Sequence, residues 1–513
     1  MCVLMSEKTT TAMKKALFFT ALLALTVSCD MEQIGYYNGM YDGRYAADAM
    51  YEEGEGVEDP FNGESYDAIT ENPFVNTADE AVSTFSIDAD GAAYAIMRSC
   101  LNGYNMLPPT NSVRIEEYLN YFTFDYADPS GDETVAINAE IGACPWTPEH
   151  KLLRLGLKGK SMQENEIPAA NYILLVDTSG SMNGDDRIEL VKKGLITMVD
   201  YMRPEDRIAI ITYAGEVKKL LESTLVGKNA NGIKKAIKKL SASGSTAGGS
   251  AMKMAYEEAS AHYVTGGNNR IIMCTDGDFN VGVSSTDALV EMVESYRDKG
   301  IYLSIMGFGR GNYQDSRMEN ISNHGNGTYN FIDSEDEMLK VFVNERSRFW
   351  AVANDTKCQV RFNPDVVDQY RLIGYENRLM TAEEFEDNKK DAGEIGAGQT
   401  VTALYEIVYK DVAPEGEAPV AATFETRYKF SLKDAESRSL SLPLYWGTDS
   451  SSENLDFAAG VAAYGLVLRN SEYKGDATLS MARELVNGAK SFDPHGLRAQ
   501  LVELMTACII PVD

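Results

Sequence analysis

The stretch YILLVDTSGS, residues 172–181, decides the fold of this 513-residue chain. It begins with an unbroken run of apolar, mostly branched residues, which is typical of a strand buried on both faces of a parallel sheet. The run ends at Asp177, and a turn of small residues around Gly180 leads into a helical pattern. Because ligands of open parallel sheets bind just beyond the carboxyl ends of the strands, this turn is a candidate binding site.

The turn carries the pattern D-x-S-x-S, which brings the carboxylate of Asp177 together with the hydroxyls of Ser179 and Ser181. One anionic and two neutral oxygens, without thiolate or imidazole, suit a hard cation such as Mg²⁺ or Mn²⁺. An Asp-Ser-Gly turn after a strand is by itself usually only a turn, so the prediction depends on further ligands.

Two later stretches supply such ligands. The glycine-lined loop GSTAGG, residues 244–249, opens a helix and offers the hydroxyl of Thr246. The stretch RIIMCTDG, residues 270–277, is a second buried strand that ends in a carboxylate, that of Asp276. All three pieces therefore fall at predicted junctions between a strand and a loop, where ligands of such sheets bind.

The order and placement of these residues resemble the metal-ion-dependent adhesion site of von Willebrand factor type A domains. The residues concerned are Asp177, Ser179, Ser181, Thr246 and Asp276. The resemblance implies that the two serines bind Mg²⁺ (or Mn²⁺) directly, the threonine directly or through water, and the two aspartates mostly through water. Because neutral hydroxyls leave the ion electron-poor, an Asp or Glu carboxylate of a protein partner would take its open position.

The pattern around this site predicts an α/β fold with a doubly wound, mostly parallel sheet over residues 168–347. Apolar runs such as 207–213 and 301–308 alternate with amphipathic stretches such as 187–202, as expected for right-handed crossovers between parallel strands. Beyond this core the period changes to short strands and then to helical runs. This change predicts a β-rich domain with C-terminal helices over residues 348–513.

Sequences on both sides of the core resemble the N-terminal and C-terminal extensions of one bacterial family of von Willebrand A lipoproteins. The resembling stretches are RIEEYLNYF at 114–122, RLIGYENR at 371–378 and DAGEIGAG at 391–398. The resemblance implies an N-terminal extension domain at residues 81–165. We hypothesise that strands of the two extensions pair with each other, so that the core is an insert into one β-sandwich.

The N-terminus has the features of a targeting signal. A basic pair at 14–15 precedes an apolar stretch at 16–27, which is too short for an ordinary membrane-spanning helix. Ser28 and Cys29 follow, which resembles the lipobox of bacterial lipoproteins, although Thr26 stands where leucine is usual. We predict a lipoprotein signal peptide over residues 1–29, cut before Cys29 so that this thiol is acylated. The alternative is a plain secretory signal with a coincidental cysteine.

The next segment, residues 30–80, is rich in Tyr, Gly, Asp and Glu and sustains no apolar period. It is predicted to be an acidic, flexible tether that is extended by its own charge. The formal net charge of −30 argues against nucleic acid as a partner and against direct adsorption to anionic lipid. Membrane contact is therefore expected through the lipid anchor. Export implies an oxidising compartment, and the scattered cysteines leave any disulfide pairing open.

These features predict a protein of the cell envelope, lipid-anchored at the periplasmic or cell-surface face, that binds a protein ligand through the metal site in adhesion or envelope assembly. One alternative is a structural scaffold in which the metal only locks the loops, and another is a Mg²⁺-dependent phosphohydrolase. The sequence favours a protein without enzymatic activity. Asp177 stands where a G-x-S-x-G elbow needs glycine, Ser179 replaces the second Asp of D-x-D, and no histidine stands beside a motif.

Overall fold

The computed structural model describes residues 63–244, 249–277, 286–311, 313–411 and 416–508. Its strands are β1 Val75–Asn76, β2 Val82–Ser86, β3 Val135–Ala143, β4 Lys151–Gly159, β5 Ala170–Asp177, β6 Arg207–Tyr213, β7 Val217–Leu225, β8 Asn268–Thr275, β9 Ile301–Phe308, β10 Tyr329–Ile332, β11 Ala351–Phe362, β12 Val367–Ile373, β13 Leu379–Met380, β14 Gly393–Gly396, β15 Thr400–Tyr409, β16 Val420–Lys429 and β17 Arg438–Tyr445. Its α-helices are Ala92–Ser99, Ile115–Asn120, Ile188–Tyr201, Val226–Ile237, Gly249–Ala261, Thr286–Arg297, Asp315–His324, Glu335–Leu339, Ala382–Glu386, Glu453–Arg469, Leu479–Gly488 and Leu497–Ala507. Short 3₁₀ or π segments lie at Cys100–Tyr104, Thr110–Ser112, Gly180–Met182, Lys340–Asn344 and Arg346–Phe349.

The part of the chain that carries the predicted site folds around a central sheet with strand order β10-β9-β8-β5-β6-β7. Neighbouring strands in this sheet run parallel except at the β6–β7 edge, where the pairing is antiparallel. Ile173 on β5 pairs with Ala209 on β6 and with Ile271 on β8, so β5 is an inner strand. Every residue of β5 and β8 is buried, as the continuous apolar runs predict.

Helices cover both faces of this sheet. Leu174 on β5 belongs to a hydrophobic core that also contains residues of the helices Ile188–Tyr201 and Val226–Ile237. Its neighbour Ile173 points to the opposite face and belongs to a separate core with residues of the helix Gly249–Ala261. The prediction of a doubly wound, mostly parallel α/β sheet is confirmed.

Two antiparallel sheets form a β-sandwich beside this core. One has the order β1-β12-β15-β4-β3, and the other has the order β13-β2-β11-β16-β17 with β14 paired to β11. Their facing side chains, among them Phe85, Leu155, Tyr405 and Phe424, form one buried hydrophobic cluster. The sandwich contains the β-rich region predicted within residues 348–513, but it also contains β1 to β4, which precede the core.

Each sheet of the sandwich combines strands that precede the core in the sequence with strands that follow it. Leu155 on β4 pairs with Ala403 on β15, and Phe85 on β2 pairs with Cys358 on β11. The stretch from β5 to β10 is therefore inserted into one sandwich, which confirms that hypothesis.

Helices close one outer face of the sandwich. Leu404 on β15 points away from the sandwich interior and belongs to a core that contains Ile115 and Phe457. The helix Glu453–Arg469 begins after Ser452, whose hydroxyl caps its first turn. The predicted C-terminal helices thus pack against the N-terminal extension as well as against the sandwich.

Residues 63–80 contradict the expectation of a flexible tether over residues 30–80. Val75 pairs with Tyr370 and so extends one sheet of the sandwich. The side-chain amide of Asn72 donates to two backbone carbonyls at the end of β12, at 3.2 and 2.8 Å. This segment is held by backbone pairing and by single polar contacts, which do not require a regular pattern of apolar residues. Its composition therefore could not predict that it docks on the sandwich. The rest of the predicted tether, the signal peptide and Cys29 lie outside the described residues.

The cysteines of the described residues are buried free thiols. They are Cys100, Cys144, Cys274, Cys358 and Cys508. Burial raises the pKa of the Cys274 thiol to about 12, so this residue packs in the sheet as a small uncharged side chain. In the part of the chain that the structure describes, no helix combines the length and the apolar character needed to cross a bilayer.

Candidate metal centre

The turn after β5 brings three of the predicted ligands together. Asp177 is the last residue of β5, and Ser179 and Ser181 lie at the start of the 3₁₀ turn Gly180–Met182. The Ser179 amide donates to Asp177 Oδ1 at 2.8 Å, which closes the turn on the carboxylate. The hydroxyl oxygens of Ser179 and Ser181 lie 2.9 Å apart. Two neutral oxygens are therefore within reach of one cation.

The three side chains of this turn differ in their exposure to solvent. Ser181 is exposed, Ser179 is 2% exposed and Asp177 is 0% exposed. Burial, with a smaller contribution from the charge of Asp276, raises the pKa of Asp177 to about 6 against the opposing effect of hydrogen bonds from Ser179 and Tyr213. A buried carboxylate of this kind is stabilised by a cation bound next to it.

Backbone hydrogen bonds attach the turn to the two neighbouring loops. The Thr178 amide donates to the Tyr213 carbonyl at 2.8 Å, and the Gly180 amide donates to the Gly244 carbonyl at 3.0 Å. Gly244 has a φ of +91°, a conformation that glycine adopts without strain, and it opens the loop that carries Thr246. Thr246 itself lies outside the described residues, so its role as a ligand stays a prediction.

Asp276 follows directly after β8, the parallel neighbour of β5. It lies at the same edge of the sheet as the turn and is 8% exposed. The Thr275 hydroxyl donates to Asp177 Oδ2 at 3.5 Å and accepts a hydrogen bond from the Gly277 amide at 3.2 Å. The structure therefore brings the second predicted carboxylate to the site and links its strand to that of Asp177.

Two buried residues behind the site escape the motif-based prediction. Tyr213 stands last in β6 and Thr275 stands last in β8, so each ends a strand that neighbours β5. The Tyr213 hydroxyl is hydrogen-bonded to the side chains of Asp177 and Thr275. Burial and the Asp177 charge raise the pKa of Tyr213 well above its usual value, so the phenol keeps its proton. Position at a strand end was the signal that could have identified both residues.

The donor set at this edge fits a hard divalent cation. It consists of hydroxyl and carboxylate oxygens, the ligands that Mg²⁺ and Mn²⁺ prefer. No part of the described chain, this edge included, holds a group of three or more His, Cys, Asp and Glu side chains that could bind a metal ion, so the candidate depends on serine hydroxyls combined with the two carboxylates. The carboxyl edge of the central sheet is therefore the candidate metal centre.

Comparison with known protein families assigns the parts of the chain. The family model described as "von Willebrand factor type A domain" matches residues 171–345, which are the inserted strand–helix core. The model described as "von Willebrand factor" matches residues 60–154. The model described as "Uncharacterized protein YfbK, C-terminal" matches residues 347–509, which include β11 to β17 and the C-terminal helices.

The similarity to one relative extends over most of both chains. The protein described as "Uncharacterized protein YfbK", from Escherichia coli (strain K12), is 36% identical over 464 residues, covering 86% of this chain and 80% of the relative. The chain belongs to the YfbK family. In this member of the YfbK family the von Willebrand A domain is inserted into the sandwich, so residues 347–509 share their sheets with strands from the N-terminal side of the chain.

More distant similarities are confined to smaller parts of the sequence or to the fold. "Uncharacterized protein sll0103" from Synechocystis sp. is 28% identical over 208 residues, covering 40% of this chain and 47% of the relative. A solved structure described as "von Willebrand factor type A from Catenulispora acidiphila" is 14% identical with a TM-score of 0.41, covering 74% of this chain and 90% of that one. Von Willebrand A domains generally mediate protein–protein interactions and often carry a metal-ion-dependent adhesion site.

Proposed function

We propose that this YfbK-family protein is lipid-anchored at the periplasmic or cell-surface side of the cell envelope and captures a protein ligand through a divalent cation. The observation that carries the proposal is the pair of hydroxyl oxygens of Ser179 and Ser181, 2.9 Å apart above the buried Asp177. A purely structural turn has no need to bring two hydroxyls and a buried carboxylate to the ligand-binding edge of a parallel sheet.

Each residue of the site would have a separate task. Ser179 and Ser181 would hold Mg²⁺ or Mn²⁺ through their hydroxyls, with Thr246 as a further ligand. Asp177 and Asp276 supply the negative charge that favours a cation at this edge. Bound to neutral oxygens, the ion supplies Lewis acidity for a carboxylate of the partner. The partner would therefore offer an exposed Asp or Glu, and the surrounding loops would add specificity.

The N-terminal sequence is the basis for proposing a lipid anchor. Cys29 follows a basic pair and an apolar stretch of signal-peptide length, and acylation there would tether the protein to a membrane. Residues 63–80 contact the folded part of the chain, so the proposed tether does not include them. A short tether keeps the partner close to the membrane that holds the anchor.

The contacts of two histidines, His150 and His324, favour a binding role over a catalytic one. His150 pairs with Glu406 on β15, and His324 pairs with Glu294 on the helix Thr286–Arg297. The contacts of both residues thus differ from the arrangement that would activate Ser179 as a nucleophile.

Calorimetric titration of the purified protein with Mn²⁺ tests the proposal, with Asp177→Asn as the site variant. Asp206→Asn is the matched control, because Asp206 is also buried, at 3% exposure, and accepts a hydrogen bond from the Ala170 amide at the other end of β5. We expect saturable binding to the wild type and to the control, and loss of binding in the site variant. Equal isotherms for all three proteins would refute the metal centre.

Capture of envelope proteins on the immobilised protein, with Mg²⁺ or with EDTA, separates ligand binding from a structural lock. We expect capture to be lost in EDTA and in Asp177→Asn while circular dichroism shows an intact fold. Capture that persists in EDTA would favour the scaffold, in which the metal only stabilises the loops.

A further inference from the structure

The segment that precedes β1 docks on the loop that follows β9, at the same edge of the sheet as the candidate metal centre. Glu64 and Arg310 form an ion pair there, with bonds of 2.7 Å to Nε and 2.6 Å to NH2, and their side chains are 1% and 2% exposed. Glu64 Oε1 also accepts a hydrogen bond from the Gly311 amide at 2.8 Å. A buried bidentate pair of this kind holds both partners in one geometry.

Backbone contacts extend this docking along the loop. The Ser65 amide donates to the Tyr313 carbonyl at 2.9 Å, and the side-chain amide of Gln314 donates to the Gly63 carbonyl at 3.1 Å. Ser65 and Gln314 form a parallel β-bridge. The segment 63–66 is therefore docked on the loop through one isolated β-bridge and the flanking polar contacts.

The same loop supports the backbone beside Asp276. A Cβ on Gly277 would lie 2.8 Å from the Gln314 amide nitrogen and 3.4 Å from Tyr313 Cα, so the two backbones are in direct contact. Gly277 also donates to the Thr275 hydroxyl at 3.2 Å. Asp276 is thus held between Thr275, which is linked to the rest of the site, and Gly277, which rests on the loop.

The far end of the loop is held by a second residue that precedes the core. Arg114 NH1 donates to Asp315 Oδ2 at 2.6 Å, and the Tyr329 hydroxyl donates to Asp315 Oδ1 at 2.8 Å. The Tyr313 hydroxyl lies 2.6 Å from that of Tyr329. The beginning of the loop is held by Glu64 together with two further contacts: Arg310 NH1 donates to the Ile96 carbonyl at 3.2 Å, and Arg187 NH2 donates to the Arg310 carbonyl at 2.7 Å. Of these contacts, the one with Glu64 is bidentate and extends to the Gly311 amide.

We propose that Glu64 is a positioning residue of the metal centre, which acts through Arg310 and the loop after β9 to hold Asp276 in place for the cation. The inference rests on the proposed function, since it concerns the same site. Contacts that orient metal ligands without touching the metal change affinity by about 10- to 100-fold when they are removed. Loss of the Glu64 carboxylate should therefore weaken metal binding by about tenfold.

Mn²⁺ titration of the purified full chain carrying Glu64→Ala or Glu64→Gln tests this role. Glu406→Ala is the matched control, because Glu406 is paired with Arg371 in the sandwich at 3.1 Å and both side chains are 2% exposed. Circular dichroism first establishes a temperature at which every variant is folded. If Glu64→Ala does not fold, Arg310→Lys replaces it, since lysine keeps the charge and loses the bidentate geometry.

We expect Glu64→Ala to bind Mn²⁺ about tenfold more weakly than the wild type, with Glu406→Ala unchanged. The Mn²⁺ affinity of Glu64→Gln should fall between those of the wild type and Glu64→Ala, because the glutamine amide oxygen can still accept a hydrogen bond from the Gly311 amide. Wild-type affinity in folded Glu64→Ala would overturn the proposal, and so would an equal loss in Glu406→Ala. Failure of the wild type itself to bind Mn²⁺ more tightly than Asp177→Asn would instead refute the proposed function.

Discussion

Arg98 and Glu337 join the N-terminal extension to the last α-helix of the von Willebrand A core through a hydrogen bond of 2.7 Å between NH2 and Oε2. Arg98 also holds Asp333 by two bonds, of 2.7 and 2.6 Å. The side chains of Arg98 and Glu337 are 9% and 3% exposed. One guanidinium thus neutralises two carboxylates at the junction of the core and the sandwich.

Arg98→Ala should destabilise the protein, by at most about 3–5 kcal/mol, because it removes the guanidinium that binds the buried Asp333 and Glu337 carboxylates. Glu337 keeps its contacts with the Tyr121 hydroxyl at 2.6 Å and with Lys340 Nζ at 3.7 Å. The control is Lys193→Ala, which breaks an ion pair with Glu335 on the same helix. Those side chains are 60% and 64% exposed, so solvent screens the pair and the control should change stability far less than Arg98→Ala. Urea unfolding measures both changes. A loss in Arg98→Ala no larger than in the control would show that the junction does not depend on this pair.

Glu116 makes the stability of the protein dependent on pH. Its side chain is buried, and its Oε2 has no hydrogen-bond partner among the described residues. Burial, together with the charge of Glu376 and against that of Arg469, raises the pKa of Glu116 from 4.5 to about 8. The folded state therefore binds the proton more tightly than the unfolded chain. This contribution is complete below pH 4.5, decreases above it and is lost as the pH rises through about 8.

We expect Glu116→Gln to flatten the pH dependence of the melting temperature between pH 6 and pH 9, because glutamine cannot ionise (the range brackets the raised pKa of about 8). Glu257→Gln on the helix Gly249–Ala261 removes an exposed carboxylate as the control. Thermal melts across this range compare the three proteins. Parallel curves for the wild type and Glu116→Gln would contradict the assignment.

Gly460 lies where two C-terminal helices approach each other closely. A Cβ there would lie 2.8 Å from Val486 Cγ2 and 3.0 Å from the Ala482 carbonyl oxygen, so Gly460→Ala should destabilise the protein by about 1–3 kcal/mol. Gly232, also within a helix, has open space where a Cβ would lie. Gly232→Ala should therefore stabilise by about 0.5–1 kcal/mol. Chemical denaturation measures both, and the same sign for the two variants would be inconsistent with this helix packing.

Tyr213 should affect metal binding more than stability. The substitution Tyr213→Phe removes the hydrogen bond that the phenol donates to Asp177, and it should lower the Mn²⁺ affinity by about tenfold. Tyr256→Phe is the control, since Tyr256 is buried in the same hydrophobic cluster and stacks on Tyr296 at 4.2 Å. Calorimetric titration of each variant provides the comparison. An unchanged affinity in Tyr213→Phe would show that Asp177 needs no support from this phenol.

The sequence was sufficient to predict the central sheet because its inner strands are buried on both faces. Such strands require continuous apolar runs, and β5 and β8 each end in a run of this kind followed by a carboxylate. The apolar pattern does not reveal the edge strand β7, because all of its side chains are partly or fully exposed, among them Lys218 and Lys219. The helix Asp315–His324 was missed because it is polar overall and offers few apolar positions.

The sequence predicts less of the site where a residue acts through a contact with another residue far away in the chain. The motif identifies Asp177, Ser179 and Ser181 because they lie within one turn. By contrast, Glu64 and Arg310 are 246 positions apart, and a single carboxylate in an acidic segment carries no local signal. The pairing appears only when the insertion of the core brings both to one edge of the sheet.

The most direct test of the metal centre is the melting temperature of the purified protein in EDTA and in excess Mg²⁺ or Mn²⁺, with Asp177→Asn and Asp206→Asn alongside. A ligand that binds only the folded state stabilises it by about 2.7 kcal/mol at 100 times its dissociation constant. We predict a metal-dependent rise in the wild type and in Asp206→Asn, and none in Asp177→Asn. An unchanged melting temperature in the wild type, or an equal rise in Asp177→Asn, would contradict a cation site at this edge of the sheet.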